Sequence, residues 1–107
     1  WGSYTILHKE TNYLVKRIEV LPSESLSLQS HNHRSEHWTV VSGVAQVQIG
    51  EILKTLKANQ FIEIPKGAKH RLTNLGESTL VIIEVQLGDK IDEDDITRYE
   101  DNYGRDG

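Results

Sequence analysis

Three of the chain's five histidines, His31, His33 and His37, fall within seven residues, in the run Gln29-Ser-His31-Asn-His33-Arg34-Ser-Glu36-His37-Trp38. Imidazole nitrogens, carboxylates and a carboxamide are donors for divalent metals, and this run holds all three kinds. If the segment is a strand, alternation carries Gln29, His31 and His33 to one face. A further histidine lies downstream, in Pro65-Lys-Gly67-Ala-Lys-His70-Arg71-Leu-Thr-Asn74. Pro65 and Gly67 suit a tight turn, because Pro presets its own φ and Gly accepts values other residues resist, and a strand carrying His70 follows. One histidine from that remote strand would complete a four-ligand set.

Such residues need a rigid frame, and most of the chain reads as short strands. Residues 3–8 and 12–21 are rich in β-branched and aromatic side chains, the second run alternating apolar with charged residues around Lys16, Arg17 and Glu19. Pro22-Ser23 interrupts, residues 26–33 resume, and 36–41, 44–49 and 52–56 follow at hairpin spacing, turning at Ser42-Gly43 and Gly50-Glu51. With 61–64, 69–74 and 79–87 there are roughly nine strands, the signature of an all-β barrel or sandwich. Only the tail departs from this pattern. Asp92 is placed to cap a short helix over 93–99, with Asp94 and Asp95 near the positive end of its dipole; a solvated acidic tail is the plainer reading of the same residues. No repeat or linker divides the chain, so residues 1–107 are expected to form a single domain.

Composition narrows the chemistry. One hundred and seven residues suffice for a hydrophobic core. With no cysteine there is neither a disulfide nor a thiolate ligand, so a metal must be held by nitrogen and oxygen donors, which fits a reducing cytoplasm. The net charge of −4 argues against a broad nucleic-acid surface. No apolar run approaches the ~20 residues of a membrane span, and no segment reads as a secretory leader. The first residue is Trp rather than Met, so residues are expected upstream.

The spacing resembles the cupin superfamily, whose two motifs read G-x5-H-x-H-x4-E-x6-G and G-x5-P-x-G-x2-H-x3-N. Here they fall as Ser23-x5-Gln29-x-His31-x4-Glu36-x6-Gly43 and Asn59-x5-Pro65-x-Gly67-x2-His70-x3-Asn74, with both leading glycines replaced and Gln29 in the place of the first histidine. Pairing His31 with His33 instead would break the spacing to Glu36. The run Gln-x-His-x-His-Arg-x-Glu-His-Trp is more specifically similar to the isomerase domain of type II mannose-6-phosphate isomerases. So are the opening Trp1-Gly2-Ser3-Tyr4 and the closing Glu93-Asp-Asp-Ile-x-Arg98-x-Glu-Asp-x-Tyr103-Gly-Arg105.

The resemblance implies a cupin double-stranded β-helix (jelly-roll barrel) with a short C-terminal helix, and a metal-dependent interconversion of mannose 6-phosphate and fructose 6-phosphate. It implies Gln29, His31, Glu36 and His70 as ligands of a divalent metal, zinc first, with manganese, cobalt or nickel as alternatives, and a phosphorylated hexose as substrate. It further implies a homodimer built on the apolar N-terminal strands. In bifunctional relatives a nucleotidyltransferase domain precedes the isomerase domain.

A base of near-neutral pKa suits the proton transfer, and His33, of the same strand parity as the ligands, is expected to supply it. Arg34 and Arg71, each beside an expected ligand, are the candidates for the phosphate, with Lys66 and Lys69 behind them. His37 has the opposite parity and points away unless a bulge re-aims it. Glu84 and Gln86 share one face of the last long strand and reach the pocket unless that strand is a solvated edge. A non-catalytic sugar or sugar-nucleotide module, and an oxygenase with a His31, Glu36, His70 triad, are the competing readings.

Overall fold

A computed structural model describes residues 1–100, and in it the chain is all-β. Strands β1 (Gly2–Lys9), β2 (Tyr13–Val20), β4 (Arg34–Ser42), β7 (Phe61–Ile64) and β9 (Leu80–Gly88) form one antiparallel sheet in the order β1-β2-β9-β4-β7. Strands β3 (Leu28–Ser30), β5 (Val44–Ile49), β6 (Ile52–Lys57), β8 (His70–Asn74) and β10 (Thr97–Glu100) form the second, in the order β10-β3-β8-β5-β6. This is the jelly-roll arrangement expected of a double-stranded β-helix.

Period-two alternation creates the site. Along β9 the buried positions are Leu80, Ile82, Glu84 and Gln86; along β4 they are Val40, Trp38, Glu36 and Arg34. Register brings Ile82 opposite both Val40 and Ile18, and Glu84 opposite both Trp38 and Lys16. On the second sheet β8 runs from buried Leu72 to buried His70. Each inward row therefore changes from aliphatic to polar at about the same height. The aliphatic half holds the core of Ile18, Val20, Val40, Val47, Leu72, Leu80 and Ile82. The polar half is a pocket.

The two replaced motif glycines sit where a glycine would serve. Ser23 has φ 66° and Asn59 has φ 74°, and among the described residues these are the non-glycine residues in the left-handed region. The backbone bend of the motif is kept although its usual residue is not.

Three expectations need correction. The short helix over 93–99 is absent. Asp92 does cap, accepting the Asp94 N–H at 2.9 Å, but the chain makes one turn and then extends as β10. The free edge of β3 takes up the backbone groups of Thr97 and Arg98, a pairing invisible to local helix signals. The expected strand over 26–33 is shorter, with β3 stopping at Ser30. Finally, β9 is an interior strand between β2 and β4, so the solvated-edge reading of Glu84 and Gln86 falls. Arg105 lies outside the described residues.

Candidate metal centre

His31, Glu36 and His70 converge, each buried, with one donor atom apiece within 4.8 Å of one another. β4 supplies Glu36 and β8 supplies His70, while His31 follows the end of β3. The Gly67 N–H donates to the His31 carbonyl at 2.8 Å, tying the two motif halves together. Gln29 is the register partner of His70 and lines the same pocket. Its side-chain NH2 is turned to Ser27 Oγ, 3.1 Å away, which leaves the carboxamide oxygen for other use.

Backbone carbonyls set both tautomers. His31 Nδ1 lies 2.7 Å from the Asp95 carbonyl and His70 Nδ1 lies 3.0 Å from that of Ala68. A carbonyl only accepts, so each Nδ1 carries the proton and each Nε2 is the free donor. Both Nε2 atoms face Glu36, at 3.1 Å for His31 and 3.9 Å for His70. Histidines oriented by a second hydrogen bond, with their lone pairs turned on a carboxylate, are the arrangement that metal sites use. The pull on a cation is already visible. The Arg34 guanidinium donates from Nε to Glu36 Oε2 at 2.9 Å and from Nη2 to His31 Nε2 at 3.2 Å. His31, Glu36 and His70 can hold a metal ion.

The carboxylates divide into two kinds. Burial alone would raise the Glu36 carboxyl. The neighbouring His31, Glu84 and His70 side chains outweigh it and hold Glu36 well below the usual carboxylate range. Glu84 goes the other way, pushed well above that range first by burial and then by the Glu36 charge. Burial also lowers His70, against the opposing charge of Glu36. Trp38 Nε1 donates to both acids, at 2.9 Å to Glu36 and 3.0 Å to Glu84, and Gln86 donates to Glu84 at 3.0 Å.

The centre opens on a cavity of about 270 Å³. Lys16, Arg34, Arg71 and Arg98 bring positive charge to its wall, and Trp1, Tyr4 and Ile96 bring apolar surface. His33 is elsewhere: it is exposed and is not part of that wall. Its expected parity fails because β3 ends at Ser30, and the Asp95 carboxylate instead takes the N–H groups of Asn32 and His33 at 2.8 and 2.9 Å. His37 faces outward as its parity requires, stacked on Phe61 at 5.1 Å between ring centroids. Lys66 is exposed, and Lys69 lies over the Tyr99 ring. Lys16 went unassigned in the sequence, although it stands on the apolar parity of β2 between Leu14 and Ile18. Asp95 gave no comparable signal.

Among solved structures the chain is similar to a double-stranded β-helix protein from Klebsiella pneumoniae, with TM-score 0.81, 21% identity, and coverage of 92% of this chain and 84% of that one. It is also similar to the capsular polysaccharide assembling protein CapF from Staphylococcus aureus, with TM-score 0.79, 22% identity, and coverage of 92% of this chain and 32% of that one. At these identities the likeness concerns the fold, a cupin-like barrel. Similarity in sequence is greater. The chain is 51% identical to the xanthan biosynthesis protein XanB of Xanthomonas campestris pv. campestris, over 98% of this chain and 22% of that protein. Over the same shares it is 50% identical to the mannose-1-phosphate guanylyltransferase ManC of Salmonella typhimurium and 52% identical to the alginate biosynthesis protein AlgA of Pseudomonas syringae pv. tomato. It thus spans about a fifth of the length of these curated relatives. Residues 1–101 match the family model described as mannose-6-phosphate isomerase C-terminal, and the chain belongs to that family.

Proposed function

We propose that the chain is a metal-dependent aldose-ketose isomerase domain that interconverts mannose 6-phosphate and fructose 6-phosphate. The observation that carries this reading is the convergence of His31, Glu36 and His70 at the end of a cavity lined by arginine and lysine. Gln29, through its carboxamide oxygen, joins them as the fourth ligand of a divalent ion. Zinc is the first choice, with manganese, cobalt and nickel as alternatives that the same donors accept. Such an ion lowers the cost of the negative charge that develops on the two sugar oxygens during proton transfer.

The protein's own groups orient the sugar and handle the proton. Glu84 projects inward on the cavity wall, and its carboxyl oxygens are fixed by Trp38 and Gln86. It takes the proton-transfer role expected of His33, whose exposed ring does not reach the cavity. Arg34 stays in the machinery as the cation braced against Glu36. The proteins of similar sequence are several times longer, which supports a nucleotidyltransferase domain N-terminal to this one. The eight residues of β1 form an exposed sheet edge, on which the expected homodimer would pair. Sedimentation equilibrium showing monomer at high concentration would remove that last element.

A second reading has one observation in its favour: ManC is named for guanylyl transfer alone. On that reading the domain binds a sugar without turning it over. A coupled assay for fructose 6-phosphate decides between them, on protein stripped with chelator and reloaded with each metal in turn. Metal-dependent turnover is expected. A folded, metal-loaded chain that binds mannose 6-phosphate without converting it would establish the binding module instead.

A further inference from the structure

Resting on the phosphosugar reading, we propose that Arg98 on the C-terminal strand, with Arg71, forms the anion subsite that receives the phosphate end of the substrate. Arg34 and Arg71 are the sequence candidates for that task, and of the two Arg34 is held through its Nε by Glu36, beside the metal donors. Arg98 is differently placed. It is the register partner of Gln29, and Gln29 is the register partner of His70, so the three residues stand in one row across β10, β3 and β8. Residues aligned across neighbouring strands share a face, which is how Arg98 comes to line the same cavity as Gln29 and His70.

Two strand spacings, roughly 10 Å, separate the ends of that row. An open-chain six-carbon sugar suits this span, with its first two oxygens at the metal donors and its phosphate at the guanidinium. The nitrogens point the same way. Among the described residues, the buried side-chain nitrogens without a hydrogen-bond partner are Arg71 Nε and Arg98 Nε. A buried donor left unpaired is costly, and guanidinium N–H groups match phosphate oxygens in a two-pronged fork. Arg71 is only lightly engaged, its Nη2 lying 3.7 Å from the exposed Glu100 carboxylate. Asp92 and Glu93 also border the cavity, so affinity for a free anion is expected to be modest unless the sugar adds its own contacts.

The test follows the arginine Nε–H signals of the 15N-labelled, zinc-loaded chain by NMR, with Arg98→Lys and Arg71→Lys assigning the peaks. Inorganic phosphate is expected to shift the Arg98 and Arg71 signals saturably and to leave Arg17 unmoved. Mannose 6-phosphate is expected to shift them at lower concentration, while mannose does not. Arg98→Met, which keeps the aliphatic stem, should weaken mannose 6-phosphate binding about 10- to 100-fold, the loss of a charge-assisted hydrogen bond, with metal content unchanged. If neither phosphate nor mannose 6-phosphate moves the Arg98 signal, or if Arg98→Met binds mannose 6-phosphate like the wild type, the subsite is refuted. If phosphate saturates Arg98 but mannose 6-phosphate binds no tighter than phosphate, the anion subsite stands and the hexose reading falls.

Discussion

Replacing Asp95 by alanine should loosen the metal centre without touching a metal donor. The Asp95 carboxylate accepts the N–H groups of Asn32 and His33 at 2.8 and 2.9 Å, and its carbonyl accepts His31 Nδ1–H at 2.7 Å. One residue thus fixes both the path of the chain after β3 and the tautomer of a ligand. Two hydrogen bonds to a charged acceptor contribute about 1.5–3 kcal/mol each. Asn32 and His33 are exposed, so water recovers part of that when the carboxylate is removed. A net loss of about 2–3 kcal/mol is expected, which lowers Tm by roughly 10–20 °C in a domain of this size. Metal affinity should fall about 10- to 100-fold, as for other groups that orient a ligand.

The pH dependence gives a separate check. Burial would raise the Asp95 carboxyl, but the two N–H donors and the charges of His33 and His31 hold it below its ordinary value. A depressed carboxyl contributes stability that is fully present above the unfolded value, about 3.9, and is lost as pH falls through the lower folded value. The stability gap between wild type and Asp95→Ala should therefore be constant near neutrality and close in strong acid. Differential scanning calorimetry with a chelator-competition titration measures both quantities. A Tm within about 2 °C of wild type and an unchanged metal affinity would refute this account of the loop.

Further predictions follow from the same geometry. His31→Ala and His70→Ala should each abolish metal retention measured by elemental analysis after dialysis, while His33→Ala should keep both metal and turnover; metal loss in His33→Ala would restore the rejected alignment. Ser23→Gly should raise stability by about 0.5–1 kcal/mol, because the left-handed backbone costs an L-residue roughly 1–2 kcal/mol and glycine gives part of that back in chain entropy. Urea midpoints would show it, and a fall would mean that the Ser23 side chain matters more than its backbone. Gly88→Ala should disturb the pairing at Arg34, since a Cβ there would lie 2.1 Å from the His33 carbonyl oxygen. Loss of metal affinity with little change in the far-UV spectrum is the expected signature.

The sequence disclosed the features that repeat locally. Motif spacing, rather than strand parity, joined Glu36 and His70 to His31, and the three converge. The left-handed Ser23 and Asn59 show why that spacing survives the loss of its glycines: the bend is what the fold requires, and the residue is not. What stayed hidden depends on partners distant in sequence. His33 could be assigned a face only for as long as the strand lasted, and the strand is ended by Asp95, 62 residues away. Glu84 reads alike on an edge or an interior strand until β2 and β4 are known to flank it. The acidic tail carried a true capping residue, and yet the edge of β3, rather than any helix propensity, decided its conformation.

The position of β10 also affects how the domain is made. β3 is bordered on one side by β8 and on the other by β10, and the Ser30 and Tyr99 hydroxyls that join β3 to β10 are 69 residues apart. Pairings of such separation close large loops and form slowly. On the ribosome, β3 emerges long before the strand that will cover it, so its edge stands open while most of the barrel is synthesised. His31 acquires the partner that sets its tautomer only when Asp95 arrives. Metal capture should therefore be among the last events of folding, and chains stalled before residue 95 should emerge with every ligand present but His31 unoriented, and with an uncovered strand.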